Sequence, residues 1–177
     1  YAFNIGWGRQ LDSTLSIGAN FKTIYSVLES YKSFGMAVDV AGTYFNEKHL
    51  FTVSLIAKNI GLQLKPYYSD NSEPLPFELQ LGLSKRFKHL PFRYYILLNH
   101  IEKWDLTYED PLNPTDIVDP FTGEIKTKGD FDKFADKAMR HVVIGGEFAF
   151  TKNFSIRLGY NYQRRKEMKV DSKLSTV

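Results

Sequence analysis

Hydrophobic and polar residues alternate with a period of two along most of this chain. In residues 77–87 the apolar positions share one face: Phe77, Leu79, Leu81 and Leu83. The positions between them are Glu78, Gln80, Gly82 and Ser84. Side chains alternate in this way on a β-strand with one apolar and one polar face. The same pattern recurs in residues 15–22, 51–58 and 154–163, and it predicts an all-β chain.

The alternation predicts eight strands in chain order. They span residues 1–10, 15–29, 34–45, 50–62, 77–87, 92–107, 141–151 and 154–169. Several exceed the five or six residues, roughly, of an average strand in a soluble protein. A tilted strand needs about nine residues or more to cross a bilayer. Soluble lipocalin-like barrels also have long strands, so strand length alone does not decide between the two.

The connections between the predicted strands alternate in length. The short connections are residues 11–14, 46–49, 88–91 and 152–153, and residues 30–33 form a connection of modest length. The long connections are residues 65–76 and 109–140. Turns this short predict an antiparallel up-and-down meander. Short turns at one end and long loops at the other are typical of outer-membrane barrels, where the long loops are external.

Phenylalanines flank three of the short turns. They are Phe45, Phe51, Phe87, Phe92, Phe150 and Phe154. Rings repeated at one level are typical of the aromatic girdle at a membrane interface. The alternative is that aromatic residues simply favour strands.

The polar face carries several charged residues. Those that we expect to line the lumen of a barrel are Lys22, Asp39, Lys58, Glu78, Glu147 and Arg157. Charges in such a place usually pair with one another, as Asp39 could with Lys22. A soluble β-sandwich has the same alternation with its apolar face inside, so the pattern alone does not identify the inner face. The loop lengths and the aromatic levels favour an apolar face turned to lipid.

The longest connection includes one stretch with helical spacing. Phe131, Phe134, Ala135 and Ala138 follow this spacing, and Gly129 with Asp130 is a plausible start signal. The helix either packs on the rim of the barrel or binds a partner. The residues that we expect to contact a partner are Trp104, Tyr108, Phe121, Phe131 and Phe134.

Composition excludes several classes of protein. With 43% hydrophobic and 15% aromatic residues, the chain is too apolar to be disordered. It has no cysteine, which excludes disulfides and thiolate metal sites. Its net charge of +3 is not gathered into a basic stripe, so nothing suggests nucleic-acid binding. It has no apolar run of about 18 residues, which excludes membrane-spanning helices.

The sequence gives no sign of catalysis. It contains no nucleophile elbow, phosphate loop or zinc-binding histidine pair. The four histidines are scattered, so we expect them on the solvated surface, and the acidic residues of the longest loop lack the spacing of a calcium-binding EF-hand. We therefore predict a protein that is not an enzyme and uses no cofactor or metal. The chain begins inside a predicted strand, which suggests a partial barrel domain over residues 1–177.

Several segments resemble a known family when they are taken in order. They lie at residues 15–26, 37–44, 57–61, 74–82, 100–108, 140–148 and 157–161. Together they resemble the barrels related to the FadL fatty-acid transporters that serve the type IX secretion system of Bacteroidetes. The segment from His100 to Tyr108 is similar to the PorQ-like members, as distinct from the PorV-like ones.

The resemblance implies a transmembrane β-barrel of about fourteen strands in the bacterial outer membrane, of which this chain supplies eight. It also implies a non-catalytic role in an attachment complex with PorU and PorV. In that complex the barrel would hold a PorZ-like surface protein while cargo is processed and joined to anionic lipopolysaccharide. The alternative is a FadL-like transporter or binder of hydrophobic ligands. A soluble calycin-like binding barrel is a third possibility.

Overall fold

Eight antiparallel strands form one sheet in a computed structural model that describes residues 1–67, 74–107, 117–118, 125–126, 129–151 and 153–168. The strands are β1 (Ala2–Gln10), β2 (Leu15–Leu28), β3 (Tyr31–Asn46), β4 (Phe51–Lys65), β5 (Glu78–Arg86), β6 (Phe92–Leu98), β9 (Val142–Ala149) and β10 (Ser155–Asn161). Two-residue strands β7 (Ile117–Val118) and β8 (Ile125–Lys126) form a separate antiparallel two-stranded sheet. The helices are α1 (Asp130–Arg140) and α2 (Tyr162–Glu167).

Each long strand pairs with the long strands before and after it, in the order β1-β2-β3-β4-β5-β6-β9-β10. The predicted all-β, up-and-down architecture is therefore confirmed. The sheet is not closed into a barrel, because β1 and β10 are its two edges and do not pair with each other. Every residue of β1 is exposed.

Asn, Asp and Thr side chains shape the short turns. Asp12 Oδ1 accepts hydrogen bonds from the backbone N–H groups of Thr14 (2.6 Å) and Leu15 (2.8 Å). Asn46 Oδ1 accepts one from His49 N–H at 3.1 Å. Such local bonds replace ladder bonds where the chain reverses. They explain why these turns fall where the alternation stops.

Strand β6 is shorter than predicted, since it ends at Leu98 and not at residue 107. His100 has φ 52°, a left-handed conformation that a regular strand does not contain. The backbone N–H of Lys103 then donates to His100 O at 3.1 Å and closes a turn. Trp104 consequently lies beyond the sheet, at the end where the connections after β4 and β6 begin. We call this the loop end, and we call the opposite end, with the short turns after β1, β3, β5 and β9, the turn end.

The last predicted strand is wrong over its second half, because α2 follows Asn161 directly. The Asn161 side chain accepts a hydrogen bond from Arg164 N–H at 3.1 Å, which caps the first turn of the helix. The predicted helix in the longest connection is confirmed as α1, which begins at Asp130 as expected. Acidic residues in its first turn and basic residues in its last turn complement the helix dipole.

The two faces of the sheet differ in exposure. We call the face with Lys22, Asp39 and Gln80 the polar face and the opposite one the apolar face. The buried residues on the polar face are Ser33 (7% exposed), Ala37 (2%) and Gln80 (8%). The apolar face is open even on inner strands: Leu55, Leu62 and Ile144 are 51%, 57% and 44% exposed. Burial in a soluble sheet normally has the opposite sense.

Aromatic rings line the turn end of the apolar face in an aromatic belt. Its members are Phe87, Phe92, Tyr94, Phe148, Phe150 and Phe154. Neighbouring centroids lie 4.6–6.2 Å apart, from Phe92–Phe148 to Phe148–Phe150. Two of the three phenylalanine-flanked turns thus share one continuous row of rings.

A β-bulge interrupts β4 opposite Asp39. Val38 pairs with Ile60 and Val40 with Ala57, so two residues of β4 face Asp39. One of the two, Asn59, adopts φ 58°, which asparagine tolerates better than most residues. Two positions farther on, a Cβ at Gly61 would overlap the carbonyl of Met36.

We predict that Gly61→Ala destabilises the fold by about 1–3 kcal/mol, because backbone must shift to admit the methyl group. Gly42→Ala is the matched control, since a Cβ at Gly42 meets no heavy atom within 4 Å. Urea unfolding in detergent measures both variants. Equal midpoints for the two would show that the close approach at Gly61 is wrong.

Candidate functional site

A compact ionic cluster occupies the middle of the polar face. Lys22 Nζ lies 2.6 Å from Asp39 Oδ2 and donates to Asn59 Oδ1 at 3.1 Å. The backbone N–H of Asn59 donates to Asp39 Oδ1 at 2.9 Å, and Asn20 Nδ2 donates to Oδ2 at 3.3 Å. The bulge in β4 turns the Asn59 N–H toward the carboxylate. The Lys22–Asp39 pairing considered from the sequence is present.

A second cluster lies at the start of β5. Lys58 Nζ is 3.6 Å from a Glu78 carboxylate oxygen, and Gln80 Nε2 donates to Glu78 at 2.6 Å. On the other side of Glu78, His100 lies 3.8 Å away and contacts Glu102 at 2.9 Å. Burial opposes the ionisation of Glu102. The hydrogen bonds from Leu79 N–H and His100 nevertheless hold its pKa below the usual value.

Near the turn end the polar face is more open. Arg157 Nε lies 3.2 Å from Glu147 Oε2, but the Arg157 side chain is 67% exposed. Arg93 is the cross-strand neighbour of both Glu147 and Arg86. Positive charge therefore exceeds negative charge at this end of the polar face.

The described residues that flank the connection between β4 and β5 contact the loop end of the polar face. Tyr67 Oη donates to Ser26 Oγ at 2.5 Å, and Asn59 Nδ2 donates to Pro76 O at 2.8 Å. Leu75 lies against Gly35. These contacts help to bury this part of the polar face.

Aromatic residues from two segments meet at the loop end. The Trp104 ring lies 5.6 Å from the Phe134 ring of α1 and 5.8 Å from the His141 ring. Phe131 is one helical turn before Phe134 and is 80% exposed. We call Trp104, Phe131 and Phe134 the loop-end patch. Its members are all more than half exposed, which suits a binding surface.

His141 fixes the base of this patch. It is 8% exposed, and its Nδ1 and Nε2 lie 2.8 Å and 3.1 Å from the carbonyl oxygens of Asn99 and Trp104. The expectation that the histidines lie on the solvated surface is therefore wrong for His141. His141 is buried because residues 99–104 turn back and cover its ring.

A network around Asp136 ties the two helices together. Tyr162 Oη donates to Asp136 at 2.6 Å, Arg140 Nε lies 3.0 Å from it, and Lys166 Nζ 3.6 Å. Burial opposes ionisation of Asp136, but the hydrogen bonds from Tyr162 and Arg140 lower its pKa overall. Lys137 also bonds Asp105 at 2.6 Å, and with Thr107 it holds the Asp105 pKa far below the usual range.

The candidate residues named from the sequence thus fall into distinct places. Trp104 and Phe134 come together, Lys22 meets Asp39, and Lys58 meets Glu78. Glu147 meets Arg157 on neighbouring strands. Tyr108 and Phe121 lie outside the described residues. Sequence reasoning missed His141, Glu102 and Asp136, because their partners are distant in the chain and no local motif marks them.

Within the described ranges, no group of three or more His, Cys, Asp or Glu side chains is arranged to hold a metal ion. No family model, curated protein or solved structure matches the chain. None of the helices among the described residues is long and apolar enough to cross a membrane. The polar clusters can hydrate and stabilise the polar face, while the loop-end patch offers an apolar contact surface.

We predict that the Lys22–Asp39 pair is strongly coupled, at about 1–3 kcal/mol, because both side chains are mostly enclosed and the carboxylate accepts further bonds. The exposed Arg157–Glu147 pair should couple by less than about 1 kcal/mol. Double-mutant cycles with alanine, measured by urea unfolding, give both energies. A Lys22–Asp39 coupling no larger than the control would contradict the enclosed cluster.

We predict that acid releases α1 from the loop end. A carboxyl group whose pKa is lowered on folding stabilises the folded state above its unfolded pKa, and this stability is lost as the pH falls through the folded pKa. The docking of α1 should therefore hold from pH 7 to about 5 and weaken below about 4. Trp104 fluorescence in a Trp7→Phe background reports it.

Two variants on α1 separate this effect from general acid unfolding. Asp136→Asn should remove much of the acid transition and loosen α1 already at neutral pH. Asp132→Asn, an exposed position on the same helix, should leave the transition in place. If Asp136→Asn retained the wild-type transition, the network would not hold the helix.

Proposed function

We propose that this chain is part of an integral β-barrel of the bacterial outer membrane and acts there as a non-catalytic anchor. Its partner would be a PorZ-like surface protein held within a type IX secretion attachment complex that includes PorU and PorV. The partner's docking site would be the loop-end patch. The family assignment within this proposal rests on the sequence resemblance.

The observation that carries the membrane part is the exposure of the apolar face. On the inner strand β4, Leu55 and Leu62 are more than half exposed, while the ionic clusters lie on the more enclosed face. Exposure of such a surface to water is unfavourable in free energy, whereas contact with hydrocarbon is favourable. Polar residues facing inward and apolar residues facing outward are the arrangement of a membrane barrel. The aromatic belt lies at the turn end, as a girdle at one interface would.

The two free edges favour a larger barrel. Strands β1 and β10 expose unpaired backbone groups, which hydrocarbon cannot solvate. Closure through further strands, to about fourteen in all, would satisfy those groups. The present eight would then form an arc of the wall, with the polar face toward the lumen.

The anchor role is favoured over transport by what lies at the loop end. Tyr67 and Pro76 contact the polar face, and Lys22 and Asp39 form an ion pair with each other. A transporter needs an unobstructed or gated route past such groups, whereas an anchor does not. The exposed rings of the loop-end patch resemble the aromatic anchors of protein interfaces.

Fractionation tests the membrane part. The protein that contains this chain should require detergent for extraction and should insert into bilayers as heat-resistant β-structure. A protein that stays monomeric and soluble without detergent would contradict this proposal and support a soluble binding barrel.

Partner capture tests the anchor role. Phe131→Ser combined with Phe134→Ser should abolish co-purification of the surface partner from membranes and leave insertion unchanged. Phe45→Ser, at the turn end, is the control for loss of an exposed ring. Uptake of a hydrophobic ligand, with no surface partner recovered from the wild type, would favour the FadL-like transporter instead.

A further inference from the structure

An open groove runs along the apolar face between β6, β9 and β10. Its volume is about 340 Å³, and its apolar walls come from Phe92, Ile144, Leu158 and Tyr160. The backbone of Gly145, Gly146 and Gly159 contributes to its floor. The Phe92 ring covers Gly146 at the end toward the aromatic belt. The groove is therefore a shallow, open apolar depression that ends near Tyr160 at the loop end.

Basic residues stand at that loop end. Arg165 Nη1 donates to Tyr160 Oη at 3.0 Å, and its guanidinium carbon lies 6.0 Å from the centre of the Tyr160 ring. Arg165 is thus held at the end of the groove by one of the groove's own walls. Arg164 precedes it on α2, and both belong to the basic last turn of this helix.

The other charged residues of α2 do not neutralise the positive charge of Arg164 and Arg165. Lys166 is adjacent and lies 3.6 Å from Asp136, whose carboxylate also contacts Arg140. Glu167 is the acidic residue of α2 and accepts a hydrogen bond from Gln163. The helix keeps a net positive charge beside the apolar groove.

We propose that this groove with Arg165 and Arg164 binds one anionic, phosphate-bearing membrane lipid. The acyl chain lies in the groove, and the phosphate is held by the guanidinium groups at the loop end. The inference rests on the proposed membrane function, because it places the groove in contact with a bilayer leaflet. It adds a specific lipid site at a defined position.

Two features favour a lipid over other occupants. A second copy of this chain would bring the same basic residues against their own positive charge if it docked through the same surface. A lipid phosphate complements them, since guanidinium groups bind phosphate oxygens in a planar, two-pronged geometry. The groove supplies apolar contact for a chain and no polar side chain apart from the Tyr160 hydroxyl, which Arg165 already engages.

Native mass spectrometry of the protein refolded in an uncharged detergent tests the proposal with phosphatidylglycerol as the probe. The wild type should retain one phosphatidylglycerol at concentrations at which zwitterionic phosphatidylcholine is not retained. The double variant Arg164→Gln with Arg165→Gln should bind about 30-fold more weakly, as expected from losing two basic residues close to an anionic lipid surface. Lys32→Gln, a basic position in the β2–β3 hairpin at the same end of the sheet, should bind as the wild type does.

A second variant tests whether the groove binds the acyl chain. Ile144→Trp fills the groove without removing a charge, and it should weaken retention of phosphatidylglycerol while the folded β-structure persists. Complete displacement of the lipid by inorganic phosphate would overturn the proposal, because the acyl chain would then contribute nothing. Equal retention of phosphatidylcholine, or unchanged binding by the double arginine variant, would also overturn it.

These experiments distinguish an absent lipid site from an incorrect proposal of membrane function. A wild type that inserts into bilayers but retains no phosphatidylglycerol contradicts the lipid site alone. A protein that never enters a bilayer contradicts the membrane function on which the site depends.

Discussion

The apolar face of a sheet must be removed from water, and the described chain provides no second layer to cover it. The sheet is a single layer of eight strands, and large apolar side chains are exposed on one of its faces. Two further features of the molecule lie on this apolar face. The aromatic belt lies along the turn end of this face, and the groove beside β10 opens onto it.

The polar face solves the complementary problem. Ionisable side chains that lose part of their hydration need partners, and here the partners come from neighbouring strands. Lys22 reaches across to Asp39, and a bulge in β4 adds a backbone N–H to the same carboxylate. The bulge depends in turn on Asn59 accepting a left-handed conformation and on Gly61 lacking a side chain. Local backbone irregularity thus supports the electrostatics of the face.

The loop end is organised by contacts between segments that are far apart in the chain. His141 lies immediately before β9, and its ring contacts the carbonyl oxygens of Asn99 and Trp104 in the turn that follows β6. These contacts fix the position of Trp104. Asp136 joins α1 to α2 through Tyr162 and Arg140. These links put the loop-end patch and the basic residues of α2 at the same end of the sheet. The proposed surface partner and the proposed lipid would both bind at this end.

The pattern of residues along the chain was enough to predict the period of two, the number and order of the long strands, the short turns and helix α1. These are local properties, because alternation, turn residues and helical spacing each act over a few residues. Only the tertiary structure decided which face is enclosed, since alternation is the same whether water or lipid lies outside. It also decided where β6 ends, that α2 replaces the second half of the last predicted strand, and that His141 is buried. Each of these depends on side chains brought together from distant positions, such as Asn99 and His141, and no local pattern encodes such a meeting.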